Sequence, residues 1–96
     1  MNGKVPDTAY KIGPTNWYDK VLDDQDNWVA INEWHVNAKG HLCGGFVPFN
    51  IKSEIFSNSS IKWNVLSYEP LTISPSLLCK ACGNHGYIRN NKWIKV

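Results

Sequence analysis

The alternation of side chains in the middle of the chain predicts a β-hairpin. Residues 27–36 alternate between two faces, with Trp28 and Trp34 on one of them. A period of two is typical of an extended strand, although both faces here mix apolar and polar residues. A glycine-containing turn over residues 37–40 follows, and residues 41–49 supply the second strand of the hairpin.

Two short apolar segments on either side of the Asn-Asn pair at positions 90 and 91 predict a second hairpin. Asparagine tolerates positive φ, so the pair suits a two-residue type I′ loop. That loop sets a register in which Ile88 faces Trp93 and Tyr87 faces Ile94. Because both faces are then apolar, this hairpin is expected to lie inside the fold rather than on its rim.

Prolines and polar clusters mark the shorter elements between the two hairpins. Residues 61–68 are predicted to form a third strand, with Trp63 and Val65 on one face. Two prolines fall within residues 69–75, so this segment should be extended and lie at a sheet edge. The other pieces are a serine-rich loop and a short apolar segment, at residues 52–60 and 76–79.

The first residues are predicted to form an arm outside the β-rich part. Residues 1–16 are polar and interrupted by glycines and prolines, which indicates irregular chain. Thr15 is a suitable cap for a short helix over residues 16–22. The sequence therefore predicts an arm at residues 1–26 and a single mostly β domain at residues 27–96, antiparallel and with at most one short helix.

A chain of 96 residues is small for one hydrophobic core. A domain of this size buries only roughly 60–65% of its unfolded surface, so an additional cross-link is expected. The three cysteines are an odd number, which favours a metal over a framework of paired disulfides. The sequence shows neither the apolar core of a signal peptide nor a long apolar span, so a cytoplasmic protein without a membrane segment is expected.

Cysteine and histidine residues fall in two clusters that suit zinc. The first holds His41 and Cys43, and the second holds Cys79, Cys82 and His85. Positions two apart share one face of a strand, and a C-x-x-C spacing wraps the chain around an ion. Zinc takes four N or S ligands in a tetrahedron, and the spacing leaves open whether His41 or Cys79 completes the set.

The sequence favours one structural Zn²⁺ ion over a catalytic one. A catalytic zinc needs an open coordination position and a nearby base, and neither an H-E-x-x-H nor an H-x-E pattern occurs. Glu69 is the acid near the second cluster. A redox pair of Cys79 and Cys82 is the alternative, but no βαβ pattern surrounds it. His35 lies outside both clusters and is expected to be structural, and the protein is not expected to be an enzyme.

Residues 71–95 resemble part of a known protein family. The stretch LTISPSLL, followed by CGNHGYIRNNKW, resembles an uncharacterised family of short phage and prophage proteins. Ser74-Pro75-Ser76 and the C-x-x-H of Cys82 and His85 are its most specific part, and the resemblance covers roughly residues 34–96. The chain departs from the family pattern in having a single upstream cysteine and in carrying Asn rather than Gly in the last hairpin.

The resemblance implies a zinc-binding domain of unknown biochemical role. It implies His41, Cys43, Cys82 and His85 as the ligands, with Cys79 as an extra thiol beside the site. It also implies a phage-type accessory protein, cytoplasmic in the host, that engages a host or phage protein and could act in counter-defence. Some members lie beside ubiquitin-like conjugation genes, which suggests a component or hydrolase of such a system as an alternative.

Two classes of partner are expected from the residues themselves. Trp17 and Tyr18 are candidate anchors for a protein partner, because exposed aromatic residues often carry binding energy. Residues 39–96 hold seven Lys and Arg against two Glu, a net charge of +5. Lys62, Arg89 and Lys92 lie near aromatic residues in this half, a mixture that suits single-stranded nucleic acid as the alternative partner.

Overall fold

The computed structural model describes residues 5–51 and 62–96, which form nine β-strands in three antiparallel sheets. The first sheet contains, in chain order, β1 (Tyr10–Gly13), β2 (Asn16–Leu22), β3 (Trp28–Val36) and β4 (Leu42–Pro48). The other two are β5 (Asn64–Tyr68) with β6 (Leu71–Ser74), and β7 (Leu77–Leu78) with β8 (His85–Arg89) and β9 (Lys92–Lys95). The predicted small antiparallel β domain is confirmed, and no helix occurs among the described residues.

The helix predicted over residues 16–22 is wrong, because this segment is strand β2. It pairs along its whole length with β3, which places Tyr18 opposite Glu33, and with β1 on its other edge. Asn16 and Tyr18 are buried, while the intervening Trp17 faces the other side of the sheet. Pairing with two neighbours outweighs the local cap at Thr15, and the expected arm becomes two strands of the main sheet.

The hairpin predicted in the middle of the chain is confirmed as β3 and β4. The pairing runs from Ala30 opposite Pro48 to Val36 opposite Leu42. In the turn, the Asn37 side-chain oxygen accepts hydrogen bonds from the backbone of Lys39 and His41, at 2.9 and 3.0 Å. The turn therefore fixes the register that later matters for the candidate site.

The C-terminal hairpin has the predicted loop and the predicted register. Asn90 and Asn91 have φ values of 52° and 60°, and Ile88 lies opposite Trp93 in the pairing of β8 with β9. Its predicted position inside the fold is correct only for β8, where Ile88 is fully buried. Strand β9 is an edge strand, and Ile94 is 42% exposed, so that part of the prediction is wrong.

The segment between the hairpins begins with a single bridge rather than a long strand. Trp63 pairs in parallel with Phe49, and β5 starts one residue later. The proline-containing segment is extended, as predicted, and forms β6, which lies at the edge of a two-stranded sheet. The predicted serine-rich loop at residues 52–60 lies outside the described residues.

One apolar core joins the three sheets. Phe49, Ile31 and Ile88 are fully buried in it, although they come from different sheets or from the segment after β4. The other buried members of this cluster are Ile12, Tyr18, Val47, Leu71, Ile73 and Leu77. The domain is therefore held by side chains drawn from nearly the whole described chain.

Tyr18 and Asn91 connect the two ends of the chain. The Tyr18 hydroxyl donates to the Asn91 side-chain oxygen at 3.2 Å, and the same oxygen accepts the Leu71 backbone N–H at 2.8 Å. Burial raises the pKa of Tyr18 to about 12. The prediction of Tyr18 as a surface anchor is wrong, since the ring is 3% exposed and faces the core.

The third sheet contains one close approach that requires glycine. A Cβ atom at Gly86 would lie 2.5 and 2.6 Å from atoms of the Trp93 indole and 2.8 Å from a backbone oxygen of β9. The missing side chain lets the indole pack closely against β8. Among the described residues, no helix is long and apolar enough to cross a membrane.

Candidate metal centre

Three cysteines and one histidine converge at one end of the β3–β4 hairpin. One ligand atom each from His35, Cys43, Cys79 and Cys82 lies within 4.8 Å of all the others. His35 is buried and the three cysteines are partly exposed. None of the cysteines forms a disulfide. One nitrogen and three sulfur atoms at this spacing could hold a metal ion.

The hairpin register delivers the first two ligands. His35 lies directly opposite Cys43 in the pairing of β3 with β4. Residues directly opposite each other in an antiparallel pair project from the same face of the sheet, with Cβ atoms about 4.5–5.5 Å apart. The two side chains can therefore reach one ion without any distortion of the sheet.

A tight turn after β7 delivers the other two ligands. The backbone N–H of Cys79 donates to Asn84, at 2.8 Å, and that of Gly83 donates back to Cys79, at 2.7 Å. Gly83 has a φ of 79°, which is a conformation that glycine adopts without strain. The turn therefore folds the C-x-x-C segment back on itself, and both thiols point towards His35 and Cys43.

A buried carboxylate orients the histidine. His35 Nδ1 lies 2.7 Å from Glu33 Oε2, and His35 Nε2 lies 3.2 Å from the Cys82 sulfur. An Nδ1–H that donates to the carboxylate leaves Nε2 free to bind an ion, the usual arrangement around metal-binding histidines. Burial raises the pKa of the Glu33 carboxyl, and the hydrogen bond from His35 opposes that rise.

The thiols differ in how readily they ionise. Burial alone would raise the pKa of the Cys79 thiol, but hydrogen bonds from Cys82 and from the Ala81 backbone lower it to about 7. The pKa of the Cys43 thiol is raised, first by burial and then by the neighbouring Cys82. Metals bind the thiolate form, so the lowered pKa of Cys79 prepares this thiol to bind an ion.

The structure brings the three cysteines of the sequence prediction together but supplies a different histidine. His41 precedes β4, is exposed, and is not part of the cluster. His85 lies on β8, where its Nε2 is 2.7 Å from the Ser76 hydroxyl, and it is also outside the cluster. His35, which was expected to be structural, is the fourth residue of the cluster. Cys79 belongs to the cluster as well and is not an extra thiol beside it.

The signal for His35 and Glu33 was present in the sequence. Both lie on one face of β3 together with the apolar Ile31, where two polar residues need partners once they are buried. The predicted turn over residues 37–40 places position 35 opposite position 42 or 43. The structure shows the pairing of position 35 with position 43, which brings His35 opposite Cys43, whereas a pairing with position 42 would place Leu42 there.

The other predicted contact residues are spread over different surfaces. Trp17 is half-buried on the outer face of the first sheet, where Lys11 Nζ lies 5.6 Å from its ring centre. The Arg89 guanidinium lies over the Tyr87 ring at 4.3 Å, and Lys92 is opposite Arg89 in the hairpin. Lys62 is half-buried and lies immediately before the bridge residue Trp63.

Comparisons with known proteins found no match among protein-family models, curated proteins or solved structures. The resemblance to the phage family therefore stays a prediction.

Proposed function

We propose that the protein is a zinc-stabilised binding module, in which one structural Zn²⁺ ion fixes the domain and the surface engages a protein partner. The observation that carries the proposal is the convergence of His35, Cys43, Cys79 and Cys82 within 4.8 Å. Zinc is favoured because three thiolates and one imidazole are a common ligand set for structural zinc.

The completeness of the ligand set favours a structural role for the ion. Four protein ligands fill a tetrahedron, whereas a catalytic zinc keeps one position for water or substrate. Glu69, the acid considered as a base, is exposed and pairs with Lys20 at 3.7 Å. A hydrolase and a Cys79–Cys82 redox pair are both less well supported, since Cys43 and His35 occupy the same cluster as the C-x-x-C thiols.

The ion would cross-link parts of the chain that are distant in sequence. Cys43 lies in the hairpin of the first sheet, and Cys79 and Cys82 lie in the turn between β7 and β8. A bound ion therefore ties the first sheet to the third. In a domain this small, such a cross-link supplies stability that the apolar core alone lacks.

Metal content and its effect on folding test this part of the proposal. We expect protein purified without an affinity tag to contain one equivalent of zinc. Addition of a strong chelator should remove that zinc and abolish the near-ultraviolet circular dichroism of the packed tryptophans. Well-folded protein without any metal would refute the proposed role of zinc.

The surface supports the partner-binding part of the proposal. Leu66 and Leu78 are 68% and 58% exposed, and Tyr10 and Leu22 are about half exposed. Exposed apolar side chains are a feature of surfaces that bind other proteins. The resemblance to the phage family suggests a host or phage protein, engaged in the host cytoplasm, as the partner.

Single-stranded nucleic acid is a second candidate partner, favoured by the stacked pair of Arg89 and Tyr87. This pair and Lys92 lie on one face of the last hairpin, and aromatic rings beside cations suit unpaired bases. We expect an oligonucleotide to bind with a steep dependence on salt, measured by fluorescence anisotropy, if this candidate is correct. The absence of any anisotropy change at low salt would remove it.

A further inference from the structure

A cavity of about 280 Å³ opens directly beside the candidate metal centre. His35 and Cys79 form the side that it shares with the metal centre. The side chains of Trp63 and Trp93 contribute indole rings to its wall, and Glu33 lines it as well. The cavity therefore combines flat aromatic surface with one buried carboxylate.

One oxygen of the Glu33 carboxylate is available to a ligand. Oε2 is engaged by His35 at 2.7 Å, whereas Oε1 makes no hydrogen bond to any residue in the described part of the chain. The Glu33 side chain is only 8% exposed. Oε1 is not among the fully buried atoms without a partner, so a donor that enters the cavity can reach it and form a charge-assisted hydrogen bond.

A glycine keeps the space above this carboxylate open. Gly45 lies directly opposite Glu33 in the pairing of β3 with β4. A Cβ atom at Gly45 would have a single neighbour within 4 Å, Glu33 Oε1, at 4.0 Å. The backbone therefore has room for a side chain at this position, and its absence leaves the carboxylate accessible from the cavity.

The charge of the site selects a cation. Glu33 is the acidic side chain in the cavity wall, and its carboxyl group lies 2.7 Å from the imidazole of the candidate ligand His35. Lys80 is the basic side chain in the cavity wall, but it is exposed and forms no ion pair with Glu33. Indole faces attract cations through the ring quadrupole, so the indole rings and the Glu33 carboxylate favour the same kind of ligand.

We propose that this cavity binds the cationic end group of a Lys or Arg side chain from the protein partner. The proposal rests on the partner-binding function above. The ammonium or guanidinium would donate to Glu33 Oε1, and its aliphatic part would lie against Trp63 and Trp93. The Trp63 ring is already fixed, since its N–H donates to the Ser76 carbonyl at 3.3 Å.

Capped single amino acids test the proposal on the full, zinc-loaded chain. The probes are the N-acetyl amides of arginine and lysine, with those of citrulline and norleucine as neutral matches of similar size. We expect the cationic probes to shift the indole N–H resonances of Trp63 and Trp93, and to bind about tenfold more tightly than their neutral matches. Equal binding of charged and neutral probes, or no binding of any probe, would overturn the proposal.

Two variants test separately how the carboxylate and the space above it contribute to binding. Glu33→Gln keeps an acceptor for His35 and removes the charge, so it should abolish the preference for cations. Gly45→Val fills the cavity above the carboxylate without changing Glu33 and should weaken both classes of probe. Glu69→Gln is the matched control, because that carboxylate is exposed and lies elsewhere, and it should leave probe binding unchanged.

Zinc content measured on every variant keeps this proposal distinct from the proposed function. If Glu33→Gln loses zinc, the test of the cation site rests on Gly45→Val alone. Probe binding by Gly45→Val that equals that of the unchanged protein would then overturn the proposal. Zinc-loaded, folded protein that shows no preference for cationic probes would refute only the proposed cation site. Protein that never contains zinc would refute the proposed zinc-stabilised module itself.

Discussion

Replacing His35 with alanine is expected to release the bound zinc and to unfold most of the protein at room temperature. The change removes one of four ligands and leaves the buried Glu33 carboxylate without its partner at 2.7 Å. An unpaired buried charge alone costs about 3–5 kcal/mol, and structural zinc contributes roughly 10 kcal/mol or more to folding. A domain of this kind is stable by only about 5–15 kcal/mol.

Two other histidines supply matched controls for this experiment. His41→Ala and His85→Ala should each retain one equivalent of zinc, because neither ring belongs to the four-residue cluster. Their stability should change by about 1 kcal/mol or less. Zinc content by atomic absorption and thermal unfolding by circular dichroism would be measured on all three variants. Loss of zinc from His41→Ala, with retention in His35→Ala, would instead support the histidine expected from the sequence.

Phe49→Ala is expected to destabilise the zinc-loaded protein by about 3–5 kcal/mol, the usual cost of truncating a buried phenylalanine. Phe49 is fully buried, and its ring centre lies 5.9 Å from that of Trp28 and 6.0 Å from that of Tyr68. Because the residue follows β4 and pairs with Trp63, its loss should loosen contacts between the sheets. Urea unfolding with excess zinc present would give the change in the free energy of unfolding.

Leu66→Ala is the control for the loss of apolar volume. Leu66 is 68% exposed, so its truncation should change stability by no more than about 0.5 kcal/mol. Comparable losses in Phe49→Ala and Leu66→Ala would show that the apolar core is not centred where the structure places it. Zinc content should stay at one equivalent in both variants, since neither residue is part of the metal centre.

The hairpins could be predicted because their signals are local. The Asn90–Asn91 loop requires positive φ, which asparagine tolerates, and the register of β8 and β9 follows directly from its length. The strand β2 could not be predicted in the same way. A segment of seven residues with Trp, Tyr and Val is compatible with either a short helix or a strand, and the choice depends on its neighbours in the sheet.

The candidate site shows the same division between local and distant information. The cysteines stand out by type and spacing, so the sequence predicted Cys43 and Cys82 as ligands and left Cys79 as a possible one. The histidine depends on which residue faces Cys43 across the hairpin, and this is a property of the register rather than of proximity in sequence. His41 is nearer to Cys43 in the chain, but only His35 lies opposite it on the sheet.

The hydrogen bond between Tyr18 and Asn91 has a consequence for how the chain folds during synthesis. The two residues are 73 positions apart, and Asn91 also holds the start of β6 through the Leu71 backbone. Closing a loop of this length costs more entropy than closing a local turn, so we expect this contact to form after the local hairpins. The first sheet can assemble on the ribosome, but its buried tyrosine gains this partner only after the last hairpin has emerged.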